Sequence, residues 1–170
     1  LEALHQEQAE IKLMNVPGDW SGMFWRFEAI ADADVSVMIS RDTDSRLTHR
    51  ESAAVSEWLQ SDKLFHVMRD HPEHNTEILG GMWGARKPIL QDINHLMKAY
   101  NKGDFWQVDQ NFLREVVWPR ISYTVCVHDP FFAKIPFPRR REGYEFVGQV
   151  WDENENTIAE HIDRLKEVIG

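Results

Sequence analysis

The sequence of 170 residues predicts an α/β fold in which a mostly parallel sheet is flanked by helices. Short apolar segments rich in β-formers alternate along the chain with longer segments whose apolar residues recur at helical spacing. Ser or Thr residues followed three positions later by Glu mark the starts of two of the helical segments. No repeat or linker interrupts this pattern, so we expect one domain over residues 1–170.

The first half of the chain is predicted to alternate helices with strands. A helix ends near residue 8, and a short strand follows at residues 11–14. Ser21 is predicted to cap a helix to Ala31, because its apolar residues recur at helical spacing. Residues 35–40 and 64–68 are short and apolar and predict buried strands. Between them, Thr48 and Glu51 form a capping box for a helix that ends near residue 60.

The second half of the chain continues the alternation with less regular segments. Residues 78–83 are predicted to be extended, and Pro88 suits the first turn of a helix that reaches residue 100. A further helix is expected over residues 109–117, ending at Pro119, before a strand at residues 123–127. Residues 131–149 show little periodicity and are predicted to form a loop with short extended pieces. Thr157 and Glu160 form a second capping box for a terminal helix.

The composition excludes several classes of protein. Nineteen basic and 28 acidic residues give a formal net charge of −9, which disfavours nucleic-acid binding. No apolar run approaches the roughly 20 residues of a membrane helix, and no signal peptide is visible. Cys126 is the only cysteine, so an internal disulfide framework is excluded. We therefore expect a cytoplasmic protein without a transmembrane segment.

Polar residues follow each of the three predicted buried strands. They are Asp42 and Asp44 after the first strand, Arg69, Asp70 and His71 after the second, and His128 and Asp129 after the third. Ligands of open α/β sheets bind outside the carboxyl ends of the strands. The sequence therefore predicts a ligand site at this edge of the sheet.

Asp42 and Asp44 follow their strand at a position where a divalent cation could bind. Carboxylates suit Mn²⁺ or Mg²⁺, and His128 could add an imidazole ligand that suits Mn²⁺. The alternative is a solvated turn in which one of the aspartates caps the next helix.

Each further candidate has a functional and a structural interpretation. Arg26 could face a diphosphate, although an arginine on an apolar helix more often extends its head group to solvent. Arg41 could bind phosphate or offset the repulsion between the neighbouring aspartates. Asp70 and His71 could contact a substrate hydroxyl or form a turn. Asp109 could deprotonate an acceptor hydroxyl or cap its helix.

The remaining candidates are glycines, histidines and the cysteine. Gly80 and Gly81 stand where a ligand could need a close approach to the backbone, or where the strand bulges. His66 and His74 are given no role in a site. Cys126 is expected to be a buried small apolar residue.

In this order, the segments resemble the glycosyltransferases of the GT-A fold. The matching segments are Gly22–Phe27, Arg41–Arg46, Phe65–Pro72, Ile78–Gly84, Asp109–Gln110 and Val127–Asp129. The resemblance is to a group of bacterial and large-algal-virus proteins, and more distantly to the glycogenin-like transferases. It implies transfer of a sugar from a UDP- or GDP-linked donor to a saccharide or other hydroxyl acceptor, with Mn²⁺ or Mg²⁺ on the diphosphate. Such domains begin with a strand, a helix and a strand, so we expect this chain to lack the first strand.

The resemblance also implies roles for individual residues. Asp42, Asp44 and His128 match its metal ligands, and Asp109 or Asp70 would be the catalytic carboxylate. The residues expected to bind the sugar donor are Arg26, Arg41, Asp42, Gly80, Gly81 and Gln110. The residues expected to contact the acceptor are His71 and Trp83.

Two other functions stay open at this stage. Phosphohydrolases of the haloacid dehalogenase type also place Asp-x-Asp after a strand, but usually have Thr or Val where this chain has Arg46. The other is a non-catalytic carbohydrate-binding or structural domain, in which the aspartates only cap.

Overall fold

A computed structural model describes residues 2–16, 18–100 and 102–170 of the chain. Its strands are β1 (Val37–Arg41), β2 (Phe65–Met68), β3 (Met82–Arg86) and β4 (Val125–His128). They form one sheet in the order β1-β3-β2-β4. β2 and β4 are parallel, whereas β3 is antiparallel to both β1 and β2.

The α/β class is confirmed, but the expectation of a mostly parallel sheet is wrong. Residues 69–81, which join β2 to β3, contain no helix. Parallel neighbours need a crossover connection, usually through a helix. Without one, β3 returns beside β2 in the opposite direction, and the sheet is mixed.

Some of the helices lie where the sequence predicts them, and others lie in segments without a predicted helix. They are α1 (Glu2–Gln6), a 3₁₀ helix (Trp20–Ala31), α2 (His49–Gln60), α3 (Ile93–Ala99), α4 (Val108–Phe112), a π-helical segment (Leu113–Val117), α5 (Trp118–Ile121), a short 3₁₀ helix (Ser122–Thr124) and α6 (Ala159–Ile169). None of the described helices is long and apolar enough to cross a membrane.

One of the two predicted capping boxes forms, and only in part. Thr48 Oγ1 accepts a hydrogen bond of 3.1 Å from the backbone N–H of Glu51. The Glu51 carboxylate does not return to the cap but pairs with Arg41. The second box is wrong, since α6 is capped at Ile158 without a side-chain hydrogen bond.

Several other boundaries differ from the prediction. No described residue of 11–14 lies in a strand, and residue 1 of the first predicted helix lies outside the described residues. The 3₁₀ helix is capped by Asp19, which accepts from the N–H of Ser21 at 2.9 Å. The strand expected at 78–83 is shifted to β3. Pro88 follows a cis peptide bond in a turn, and α3 begins only at Ile93. Pro119 does not end its helix, because it lies in the first turn of α5, where a missing N–H is tolerated.

The two faces of the sheet pack against different clusters. Phe65, Val67 and Trp83 belong to the main core, with Phe27 and Ile30 of the 3₁₀ helix. Met68 and Met82 belong to a smaller cluster with Ala54, Phe137 and Val147. Because the 3₁₀ helix contacts β1, α3 and α4, it brings its polar face to the end of β1 and the start of α4.

Candidate functional site

Arg26 joins two aspartates that are distant in the chain. Its Nη2 donates to Asp109 Oδ2 at 2.7 Å, and its Nη1 donates to Asp42 Oδ1. Its Nε donates to the carbonyl of Met23 at 3.2 Å, which fixes the guanidinium against its own helix. The arginine therefore does not extend into solvent but holds the end of β1 to the start of α4.

Asp109 has one satisfied and one unsatisfied carboxylate oxygen. The residue has no exposed surface, and its Oδ1 has no hydrogen-bond partner among the described residues. The neighbouring Gln110 Oε1 is also buried without a partner there. A buried acceptor left unpaired costs about 1–3 kcal/mol. Both residues line one cleft, and a ligand with hydroxyl donors could satisfy two such acceptors.

Gly80 and Gly81 leave the space that these side chains occupy. A Cβ on Gly80 would lie 2.5 Å from Arg26 Nη2, and one on Gly81 would overlap the Asp42 carboxylate. Neither glycine has a positive φ. Both are therefore needed for the close approach of Arg26 and Asp42 to the backbone, and not for a special backbone conformation.

Arg26 and its two aspartate partners line a cleft of about 180 Å³, called the Arg26 cleft below. Its lining residues are Met23, Arg26, Asp42, His74, Leu79, Gly80, Met82, Trp106, Gln107, Asp109, Gln110 and Gly148. A polar cleft of about 410 Å³ shares Leu79, Gln107 and Gln110 with it. Trp106 is 65% exposed at this cleft. Neither Trp106 nor Gln107 was predicted from the sequence, although a tryptophan shortly before the helix predicted from Asp109 is a signal visible there.

The predicted metal ligands are not brought together. His128 is buried, with Nδ1 2.8 Å from His66 Nε2 and Nε2 3.2 Å from Glu57 Oε1. Asp44 is exposed, and its backbone carbonyl accepts from the N–H of Trp151 at 2.8 Å. In the part of the chain that the structure describes, one group of three possible ligands lies close together, and it contains neither Asp42 nor Asp44. The residues present do not fit a cation site made of Asp42, Asp44 and His128.

Asp70 is fully buried in a network of two arginines and a backbone amide, called the Asp70 network below. Oδ2 accepts from Arg50 Nε at 2.8 Å and from the N–H of Val147 at 3.0 Å. Oδ1 accepts from Arg50 Nη2 at 2.9 Å and from Arg141 Nη2 at 2.7 Å. Four donors fill the acceptor sites of a carboxylate. The catalytic role considered for Asp70 has no support in this geometry, because no lone pair is left for a substrate.

Two further predicted residues lie away from the Arg26 cleft. Arg41 pairs with Glu51 beneath α2, where burial lowers the pKa of its guanidinium while Glu51 opposes the shift. Trp83 has no exposed surface and stacks on Phe65 with 5.1 Å between the ring centroids. Arg41 therefore does not face a sugar donor in the Arg26 cleft, and Trp83 cannot contact an acceptor.

His71, the other residue expected to contact the acceptor, is also buried. Its Nε2 lies 2.8 Å from the carbonyl oxygen of His161, and its Nδ1 accepts from the N–H of Glu73 at 3.2 Å. Both ring nitrogens are used inside the protein, so His71 holds α6 against the turn after β2.

Comparison with known proteins adds information on the fold. No protein-family model matches the chain, and no curated protein matches it. The chain is similar to the crystal structure of a glycosyltransferase involved in the glycosylation of the major capsid of PBCV-1, with a TM-score of 0.51 and 17% identity. The match covers 76% of this chain and 70% of that one. This chain has a glycosyltransferase-like fold. The similarity extends to the fold alone, so the activity is argued from the site.

Proposed function

We propose that the chain is a glycosyltransferase domain that transfers a sugar from a nucleotide diphosphate sugar to an acceptor hydroxyl. The observation that carries the proposal is that Asp109 lines the Arg26 cleft and has a buried carboxylate oxygen, Oδ1, with no partner among the described residues. The glycosyltransferase-like fold supports it.

The chemistry of the Arg26 cleft favours a polyhydroxyl ligand. Asp109 Oδ1 and Gln110 Oε1 are both acceptors, and the hydroxyl groups of a sugar are donors that would satisfy them. The cleft of about 180 Å³ is smaller than the roughly 300 Å³ and more of a whole-ligand pocket. It therefore accommodates the sugar, while the nucleotide extends into the adjoining space.

Arg26 is the group of this cleft that can bind the diphosphate. Of its two partners, Asp42 has a side chain that is 50% exposed, whereas that of Asp109 is fully buried. A diphosphate would displace Asp42 more easily than Asp109, because Asp42 recovers its hydration when it leaves the pair. The positive charge would then stabilise the leaving nucleoside diphosphate.

Transfer requires that the acceptor hydroxyl oxygen bond to the anomeric carbon, that the bond from this carbon to the diphosphate break, and that the hydroxyl lose its proton. Asp109 Oδ1 is the carboxylate oxygen available to accept this proton. No step is assigned to a metal ion, because the predicted ligands do not meet. The requirement for Mn²⁺ or Mg²⁺ stays a prediction that the following experiment tests.

The test measures the binding of UDP- and GDP-sugars by calorimetry, with Mn²⁺ and with EDTA, to the chain and to two variants. Asp109→Asn removes the negative charge of the carboxylate that contains the unpaired Oδ1 and keeps the shape of the side chain. We expect an affinity about tenfold lower or weaker still, since hydrogen bonds to charged groups contribute about 1.5–3 kcal/mol. The matched control is Asp92→Asn, which removes an exposed carboxylate 3.4 Å from Arg120 and should leave the affinity unchanged.

Three results would contradict the proposal. One is that no nucleotide sugar binds with either Mn²⁺ or EDTA. Another is an equal loss of affinity in Asp109→Asn and Asp92→Asn. The third is release of phosphate from simple phosphomonoesters without any release of nucleoside diphosphate from nucleotide sugars, which would indicate a phosphohydrolase.

A further inference from the structure

His66, Cys126 and His128 lie on one face of the sheet, outside the Arg26 cleft. β2 and β4 pair in parallel, with His66 opposite Cys126 and Met68 opposite His128. Residues two apart in a strand point to the same face, so these four side chains lie together. The sequence alone predicts no role for His66 and does not link it to Cys126 or His128.

The possible ligand atoms of these residues form a compact group. The nearest nitrogens of His66 and His128 are 2.8 Å apart, and the ring and thiol ligand atoms all lie within 4.8 Å of one another. Both imidazole rings are buried, and Cys126 is partly exposed. Trp58 of α2 stacks on His66 with 5.2 Å between the ring centroids and covers it.

Glu57 adds the partner that a metal-binding histidine usually has. Its Oε1 lies 3.2 Å from His128 Nε2. When Nε2 donates its proton to this carboxylate, Nδ1 carries the free lone pair and points into the group. A carboxylate behind an imidazole orients the ring and makes it a better ligand.

We propose that His66, Cys126 and His128 bind a Zn²⁺ ion. Two imidazole nitrogens and a thiolate are the donor set that zinc prefers, whereas Mg²⁺ and Mn²⁺ favour oxygen. The fourth position of the tetrahedron is left to water.

The two imidazole rings need only a small displacement to accept zinc. Bonds of about 2.0–2.1 Å in a tetrahedral site separate two nitrogens by about 3.3 Å. The His66 and His128 rings would thus move apart by about 0.5 Å. Binding also releases the thiol proton of Cys126, and the proton between the two rings moves to His66 Nδ1, so that both imidazoles coordinate as neutral rings.

The experiment titrates the full chain with Co²⁺ as a spectroscopic substitute for zinc and then displaces it with Zn²⁺. We expect one ion per chain, tetrahedral d–d bands and a thiolate-to-cobalt charge-transfer band in the near ultraviolet. Cys126→Ser should abolish the charge-transfer band and weaken Zn²⁺ binding more than tenfold. Glu57→Gln should keep the band and weaken binding by about 10- to 100-fold.

Two controls keep the result specific. Asp42→Asn should leave Co²⁺ binding at this group unchanged, and thermal unfolding of the metal-free Cys126→Ser chain should match that of the unaltered chain. The proposal is overturned if Co²⁺ does not bind, if it binds without the charge-transfer band, or if Asp42→Asn and not Cys126→Ser abolishes binding. None of these results bears on sugar-donor binding in the Arg26 cleft.

Discussion

Asp70 and Asp109 are both fully buried aspartates paired with arginine, yet the protein uses them in different ways. Asp70 accepts four hydrogen bonds, from Arg50, Arg141 and Val147, so its carboxylate is saturated. Asp109 accepts one, from Arg26, and its second oxygen has no partner within the described ranges. Burial and charge alone would not separate the two residues. The number of satisfied lone pairs does, because it is complete in Asp70 and leaves one oxygen of Asp109 for the ligand proposed above.

The largest effect should follow the loss of charge in the Asp70 network. Asp70→Asn places an amide N–H₂ against arginine donors and leaves Arg50 and Arg141 buried without a counter-ion. Removing one partner of a buried ion pair costs about 3–5 kcal/mol. We expect the free energy of unfolding in urea to fall by this amount. Asp92→Asn, at an exposed pair, should change it by less than about 1 kcal/mol. Equal losses in the two variants would contradict a special role for the Asp70 network.

The next effect tests the space on which the Arg26 cleft depends. Gly81→Ala places a methyl group against the Asp42 carboxylate and 2.7 Å from the Asp42 backbone nitrogen. Overpacking of this kind costs about 1–3 kcal/mol, and here it would also push Asp42 away from Arg26. Gly18→Ala is the matched control, because a Cβ at Gly18 would have no atom of the described residues within 4 Å, and its φ is not positive. If both variants unfold at the same urea concentration, the close approach at Gly81 has no energetic role.

The sequence predicted helices and strands better than it predicted strand pairing and side-chain contacts. β2 and α2 were found because an apolar segment and the Thr48 cap are local signals. The sheet order was not predicted. The absence of a helix between β2 and β3 sets their relative direction only when the two strands pair with each other. Position near a strand end likewise identified Asp42, Asp70 and His128 as one group.

In the structure these three side chains lie apart, because each of them pairs with a different partner. Asp42 pairs with Arg26, Asp70 with Arg50 and Arg141, and His128 with His66. These partners come from segments distant in the chain. Arg26, Gly80 and Gly81 were predicted as donor-binding residues and Asp109 as a catalytic carboxylate. The packing of the 3₁₀ helix brings them together around Arg26 and Asp42, and their roles stay predictions.

A smaller effect concerns the pH dependence of stability and comes from His74, which contacts the backbone of Asp70. The N–H of Asp70 donates to His74 Nδ1 at 3.0 Å. Burial lowers the pKa of His74 to about 3, and His71, His161 and Arg141 add to the shift, which Asp129 opposes. The unfolded chain binds this proton near pH 6.5, so the contribution to stability is complete above pH 6.5 and is lost as the pH falls towards 3.

Between pH 7 and pH 5 this histidine should account for a loss of about 2 kcal/mol in the free energy of unfolding. The measurement compares urea unfolding of the chain and of His74→Gln at both pH values. The variant should lose about 2 kcal/mol less than the unaltered chain over this interval. The same loss in both would show that His74 is not kept neutral by the fold.

The smallest effect on stability should come from Asp109, and it separates the two aspartates most clearly. Asp109→Asn keeps an oxygen for Arg26, whose charge is still balanced by Asp42. The second oxygen has no hydrogen bond to lose in the described structure. We therefore expect a decrease of about 1 kcal/mol in the free energy of unfolding, well below that for Asp70→Asn. The affinity for the sugar donor should nevertheless fall, as proposed above. A decrease in stability as large as that for Asp70→Asn would mean that the Arg26–Asp109 pair stabilises the fold. The unpaired Asp109 Oδ1 would then not mark a ligand site.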